Sequence, residues 1–279
     1  MKYAIISDSA CDLKNDYLKN KDIYFESIPF FVNVLDKEFE DTDNAPIDEM
    51  LTAFSATKEL CVSACPSPQK FYEACLHSDY SFIITITSKL SGSFNSACLA
   101  KTMAEQEGKK VFAIDSKATC GVQVQIIDKL VQLIESGISY EEICKQIAAF
   151  VERRNLVFVL KNFDNLIRNG RMKNFIAKII TALKITPLCV KSPEGEISMK
   201  DKIIGEKRLV PKVVDIINKS SENIAEIEVI ISHCRADEQA NEIKQMLLAT
   251  NPNIKNIRII PTQLLASFYA LPQGIIISY

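Results

Sequence analysis

Ser88, Ser91, Gly92, Ser93 and Ser96 crowd into one stretch, Thr87-Ser88-Lys89-Leu90-Ser91-Gly92-Ser93-Phe94-Asn95-Ser96-Ala97. It follows an apolar, β-rich segment, Tyr80 to Thr85, and leads into a helical pattern over Phe94–Glu107. A buried strand therefore delivers hydroxyls and a glycine to a helix N-terminus. There, unbonded backbone N–H groups and the helix dipole favour an anion. Capping alone explains one serine at a helix start, not four. Strand–loop–helix junctions are also where open α/β sheets bind ligands.

Other polar residues fall at equivalent places. Asp8-Ser9 and Asp115-Ser116 each follow a strand-like run, which in a parallel sheet puts them at the same carboxyl edge as Ser91. Asp and Ser also end strands and start turns for purely local reasons. In Val62-Ser63-Ala64-Cys65-Pro66-Ser67-Pro68, Ser67 and Pro68 form an N-cap and N1 pair, whereas Ser63 has no such role and is free to face a ligand. Asn169-Gly170-Arg171 ends a short helix, with Gly170 as its stop and Arg171 as a cation directed at the domain junction or at solvent. A serine hydrolase needs a base beside Ser91, and only His77 and His233 exist, with no GxSxG elbow. GxGxxG and GxxxxGK[ST] are absent too. Cys120, near Asp115, reads as a small core residue before it reads as a nucleophile.

The elements that must position these residues alternate in the first half. Tyr3–Ser7 is a strand and Ile23–Val34 holds one or two more; Pro46–Ser55 and Pro68–Leu76 are helical. Phe82–Thr85 and Val111–Ile114 are strands, and Gln123–Ser136 and Tyr140–Arg153 carry apolar residues at helical spacing. This alternation predicts an α/β fold with a mostly parallel sheet and helices on both faces. After about Asn155 the pattern changes: strand Leu156–Leu160, helices Phe163–Asn169 and Asn174–Leu183, then a hairpin of Ile185–Lys191 and Glu196–Ile204 about Ser192-Pro193-Glu194-Gly195. Helix Lys207–Asn218, strand Glu226–Ser232, helix Asp237–Ala249 and strands Ile257–Ile260 and Gly274–Ser278 complete a mixed α/β region. Two domains are expected, residues 1–155 and 156–279.

A chain of 279 residues with net charge −2 and mixed charges suggests neither nucleic acid nor an anionic membrane surface as partner. The uncharged stretch Ile259–Tyr279 is broken by Pro261, Gln263, Pro272, Gln273 and Gly274, so it packs an interior and makes a poor membrane span. The apolar run within Met1–Asp8 is too short for a signal peptide and reads as a first strand. Nine cysteines, scattered and without a CxxC pair, imply reduced thiols and a cytoplasmic location. No cofactor is called for, and the ligand clusters of a metal site are missing.

Taken in order, these pieces resemble the DegV family, bacterial proteins that bind fatty acids, some as the acyl-carrying subunits of fatty acid kinase. Asp8-Ser9-Ala10-Cys11-Asp12-Leu13, Ser63-Ala64-Cys65-Pro66-Ser67-Pro68 and Ser88 through Ala97 match its motifs, the last being the specific one. Ile114-Asp115-Ser116, Asn169-Gly170-Arg171-Met172, Gly205-Glu206-Lys207-Arg208 and Ile231-Ser232-His233 follow. The resemblance spans the chain from Ser7 to its end. It implies a lipid-binding protein rather than an enzyme, with the acid between two α/β domains. The carboxylate would be held by Ser63 and Ser91, with Gly92, Ser93, Asn95, Arg171 and Tyr269 as further ligand-binding residues. The acyl chain would lie in an apolar tunnel. Each buried CH₂ contributes roughly 0.8 kcal/mol, so a long chain supplies on the order of 10 kcal/mol before binding costs. A separate ATP-using kinase subunit would be the partner, with Lys207 and Arg208 as docking charges.

One departure stands out. The family has a histidine followed shortly by Gly-Pro-Gly, where this chain reads Ser267-Phe268-Tyr269-Ala270-Leu271-Pro272-Gln273-Gly274, and Tyr269 takes the histidine's place. A phenol donates a hydrogen bond to a carboxylate but supplies no cationic charge near neutral pH. Two other functions therefore stay open: an acyl hydrolase or transferase acting through Ser91, and a carrier or sensor of another amphiphile with no kinase partner.

Overall fold

The computed structural model of the chain describes residues 1–172, 185–220, 228–251, 254 and 256–279. Its strands are β1 (Tyr3–Asp8), β2 (Tyr24–Ile28), β3 (Phe31–Val34), β4 (Lys37–Glu40), β5 (Val62–Ala64), β6 (Tyr80–Thr85), β7 (Lys110–Asp115), β8 (Leu156–Val159), β9 (Thr186–Lys191), β10 (Ile197–Ile203), β11 (Val229–Cys234), β12 (Ile257–Pro261) and β13 (Gly274–Ser278). Its helices are α1 (Ile47–Ser55), α2 (Pro68–Cys75), α3 (Ser93–Gln106), α4 (Gly121–Glu135), α5 (Tyr140–Glu152), α6 (Asp164–Arg168), α7 (Leu209–Ser220), α8 (Asp237–Thr250) and α9 (Leu264–Ala270). The expected helix Asn174–Leu183 lies outside the described residues.

Apolar residues on both phases of β1 and β6 give a sheet covered on both sides. Its order is β2-β1-β6-β7 and every pairing is parallel. Ile5 and Phe82 pack with Ile126 and Leu130 of α4 and Ile147 of α5. Ala4, Ile6 and Ile83 face the other way, onto Phe71 of α2 and Ala97 and Ala100 of α3. A second sheet, β10-β9-β8-β13-β11-β12, is antiparallel except between β11 and β12. The α/β class, the parallel sheet and the mixed sheet are as the sequence predicts.

The two sheets meet on α4. Gly121 begins this helix with no side chain, and a Cβ there would stand 2.8 Å from Ile230 Cβ on β11 and 2.8 Å from Ser278 Oγ on β13. Only glycine allows that approach.

Three elements are not apparent from periodicity. β4 and β5 flank β3 in a small antiparallel sheet. β4 is charged on its outer phase and β5 is three residues long, so neither forms a recognisable apolar run. α9 falls in the uncharged C-terminal stretch and is anchored by residues far away in sequence, as described below. Lys207 and Arg208 lie in a 3₁₀ turn (Glu206–Arg208), and the α-helix proper begins at Leu209. Ser67 caps α2 as expected, its Oγ accepting from the Lys70 N–H at 3.4 Å, with Pro68 at N1. Among the described residues no helix is long and apolar enough to cross a membrane.

Candidate functional site

Parallel pairing puts the carboxyl ends of β1, β6 and β7 at one edge, and two aspartates there hold the serine loop. Asp8 is fully buried. Its Oδ2 accepts from Ser93 Oγ at 2.6 Å and from the Ile86 N–H at 2.9 Å, and its Oδ1 from Gln123 Nε2 at 2.8 Å. Desolvation outweighs these bonds and pushes its carboxyl up to about 6. Asp115 accepts from the N–H groups of Ser88 at 3.2 Å and Lys117 at 2.9 Å. Both carboxylates shape the loop from within.

Ser91 Oγ accepts from the Ser93 N–H at 3.2 Å, a local turn contact that leaves the Ser91 hydroxyl proton to donate elsewhere. Ser63 sits on β5 between exposed Val62 and Ala64, so strand alternation turns it inward. Its Oγ shares a 2.9 Å hydrogen bond with the Tyr269 hydroxyl.

Tyr269 is placed by residues distant in sequence. The Asp41 carboxylate accepts from the N–H groups of Leu264 at 2.8 Å and Leu265 at 3.2 Å, and Asp12 accepts from the Gln263 N–H at 2.7 Å. Together they satisfy the first N–H groups of α9. Burial, the largest cause for each, raises Asp41 to about 6 and Asp12 to about 7. At the other end, Asn165 Nδ2 donates to the Phe268 carbonyl at 2.7 Å. Asn169 Nδ2 donates to Asn165 Oδ1 at 2.8 Å and to the Cys61 carbonyl at 3.0 Å. One asparagine pair therefore ties α9 to the start of β5 and fixes Tyr269 against Ser63.

Arg171 Nε donates to the Leu90 carbonyl at 3.3 Å, and its Nη1 to the Asn169 carbonyl. The guanidinium is thus held beside the serine loop.

Ser63, Ser91, Gly92, Arg171 and Tyr269 line one cavity of about 400 Å³. Its remaining wall is largely apolar, with Phe158, Leu160, Leu166, Leu265 and Ile276 among its residues. A volume of this order is that of a small-molecule site. The tip of the β9–β10 hairpin closes one side. Thr87 Oγ1 donates to the Gly195 carbonyl at 3.1 Å, and Gly195 has φ +90°. A Cβ on Gly195 would stand 2.3 Å from Thr87 Oγ1, so glycine is required both for the conformation and for the contact.

Two of the expected ligand residues lie elsewhere. Ser93 spends its hydroxyl on Asp8, and Asn95 is exposed on α3, because the helix begins at Ser93 and rotates these side chains away from the cavity. Lys207 and Arg208 are exposed and do not line it. Sequence reasoning missed Lys117, Lys191 and Glu196, which line it too. The signal for Lys191 was its inward phase in an apolar strand. His77 stacks on Tyr24 at 4.4 Å between ring centroids, and His233 Nδ1 accepts from the Ala236 N–H at 3.2 Å. Neither lines the cavity, so Ser91 has no imidazole there. Among the described residues no group of three or more His, Cys, Asp or Glu is arranged to hold a metal ion.

Residues 2–278 match the family model described as "Uncharacterised protein, DegV family". A DegV domain-containing protein of Streptococcus pyogenes is 33% identical over 281 residues, covering 100% of this chain and 99% of its own length. The fold is similar to that of the Streptococcus pneumoniae Fatty Acid Kinase (Fak) B3 protein loaded with linoleic acid, with a TM-score of 0.92, 32% identity and coverage of 100% and 99%. A DegV family protein from Eubacterium eligens loaded with heptadecanoic acid gives a TM-score of 0.91 at 29% identity, with coverage of 99% and 98%.

Proposed function

The chain belongs to the DegV family, and from that membership we propose that it binds a long-chain fatty acid between two α/β halves, residues 1–155 and 156–279. One observation carries this reading: a single cavity has Ser63, Ser91, Tyr269 and Arg171 in its wall and is otherwise mostly apolar. The acid head meets the hydroxyls of Ser63 and Ser91, the phenol of Tyr269, the Arg171 guanidinium and the start of α3 at Gly92. A buried carboxylate is costly unless hydrogen-bonded, and these donors satisfy it. The acyl chain takes the apolar wall. The fatty acids in the two similar structures support the same class of ligand.

The protein performs no chemistry of its own in this reading. It carries the acid in the cytoplasm and presents the carboxylate to a separate ATP-dependent kinase subunit, a partner suggested by the name of the similar S. pneumoniae protein. The exposed pair Lys207 and Arg208 serves as docking charge. Hydrolysis through Ser91 is disfavoured by the absence of a histidine from the cavity wall. Tyr269 favours one second reading, a fatty acid carrier uncoupled from a kinase. Its phenol bonds Ser63 and brings no charge to the head group, which leaves Arg171 as the cation on that side.

The test is native mass spectrometry of the purified protein, followed by extraction and identification of what it carries. A stoichiometric long-chain acid is expected, and Ser91→Ala is expected to bind it about tenfold more weakly. Unchanged lipid content and affinity in that variant would overturn the head-group assignment. An empty protein that takes up no added acid would overturn the function.

A further inference from the structure

The segments that wall the cavity differ in how firmly they are held. β8 is paired on both sides, by β9 and by β13. α9 is bonded at its start by Asp12 and Asp41 and at its end by Asn165. The β9–β10 hairpin has no such anchorage. Among the described residues β10 is the edge strand of its sheet, and its register shifts between Met199 and Asp201. Yet Lys191, Gly195, Glu196 and Ile197 of this hairpin all line the cavity.

The turn of the hairpin is self-contained. The Gly195 N–H donates to the Ser192 carbonyl at 3.0 Å, the Ser192 N–H to the Glu196 carbonyl at 2.8 Å, and the Glu196 N–H to Ser192 Oγ at 3.2 Å. The hairpin can therefore swing as a unit and keep these bonds. Its tip is fastened to the first half of the chain by Thr87, whose Oγ1 donates to the Gly195 carbonyl. Thr87 is buried, and its other bonds hold the serine loop. Its Oγ1 accepts from the Lys89 N–H at 3.2 Å, its N–H donates to the Ala118 carbonyl at 2.8 Å, and its carbonyl accepts from the Ser91 N–H at 3.3 Å. One residue thus joins the hairpin tip to the loop that carries Ser91.

Closure of the hairpin is also opposed. Lys191 is half-buried, and desolvation, with Lys117 adding to it, holds its ammonium below its usual pKa. Lifting the tip returns that ammonium to water. The closed position therefore depends on the Thr87 latch and on the apolar contacts of Ile197. A long acyl chain exchanges only when some wall of its cavity opens, and a weakly fastened edge is where local opening begins. We propose that the β9–β10 hairpin is the gate of the cavity, latched by Thr87, and that a fatty acid enters and leaves beneath it. The inference rests on the fatty acid reading above.

The experiment follows radiolabelled hexadecanoic acid passing between the protein and phosphatidylcholine vesicles in each direction, together with its equilibrium affinity. Thr87→Val removes the latch. Uptake and release are both expected to become about fivefold faster than in the wild type, with the affinity changed much less. Gly195→Ala, whose methyl would meet Thr87 Oγ1, should do the same from the hairpin side. Thr87→Ser keeps the hydroxyl and should restore the wild-type rates. Faster release alone, in Thr87→Val but not in Gly195→Ala, would make Thr87 a support of the serine loop and overturn the gate. Wild-type rates in both variants would overturn it as well. Failure of the wild type to take up the acid at all would overturn the fatty acid reading and the gate with it.

Discussion

At the scale of single residues, the site is made by side chains that bind one another as much as by those that face the cavity. Ser63 and Tyr269 are 206 positions apart and share one hydrogen bond. Their spacing is fixed by Asn165, which bonds the carbonyl beside Tyr269, and by Asn169, which bonds the carbonyl of Cys61. Asn165 is buried, so removing its amide leaves the Phe268 carbonyl unbonded at a cost of about 1–3 kcal/mol. Asn165→Ala is predicted to weaken binding of a long-chain acid several-fold while leaving binding of its methyl ester unchanged. The ester keeps the chain but lacks the charge that Ser63 and Tyr269, positioned through Asn165, are there to meet. Equal losses for acid and ester, read by the same displacement assay, would make Asn165 a packing residue only.

At the scale of elements, α9 depends on carboxylates borrowed from the first half of the chain. Asp12 and Asp41 bond its leading N–H groups, and Asp8 does comparable service for the loop before α3. Burial raises these carboxyls from 3.8 to about 7, about 6 and about 6 respectively. Each therefore binds its proton more tightly folded than unfolded. Their contribution to stability is fully present below the unfolded value of 3.8 and is lost as pH rises through about 6 to 7. Asp41→Asn should flatten that decline, because the asparagine amide does not titrate and one acceptor oxygen remains. Urea unfolding at a series of pH values across this window measures it. The same slope in wild type and variant would mean that Asp41 is not the titrating group.

At the scale of the whole molecule, α4 is the piece that both sheets share. Asp128 on α4 pairs with Arg258 of β12, which also donates to the Tyr17 hydroxyl at 2.8 Å and forms an ion pair with Glu228 at 2.7 Å. At the N-terminus of α4, Gly121 lets β11 and β13 approach. Gly121→Ala would push a methyl into Ile230, and overpacking of this kind costs about 1–3 kcal/mol. A lowered urea midpoint is expected, together with faster loss of bound lipid as the two sheets part. A variant as stable and as retentive as the wild type would show that the sheets do not need this contact.

Much of this was legible in the sequence. Continuous apolar runs such as Phe82-Ile83-Ile84 specify buried strands locally, and Ser67-Pro68 specifies a helix start by local chemistry. Parallel pairing then follows from strand–helix alternation, and with it the edge that gathers Asp8, Ser91 and Asp115. What stayed hidden was non-local. β5 is too short to recognise until β3 pairs with it. α9 lacks a cap of its own and takes one from Asp41, more than two hundred residues away. Ser93 and Ser91 look alike in the sequence, yet the first turn of α3 sends one to Asp8 and leaves the other in the cavity wall. Backbone periodicity is a property of neighbouring residues and can be read along the chain. The direction of a hydroxyl, or the solvation of Lys191, depends on which distant surfaces are pressed against it, and only the packed structure decides that.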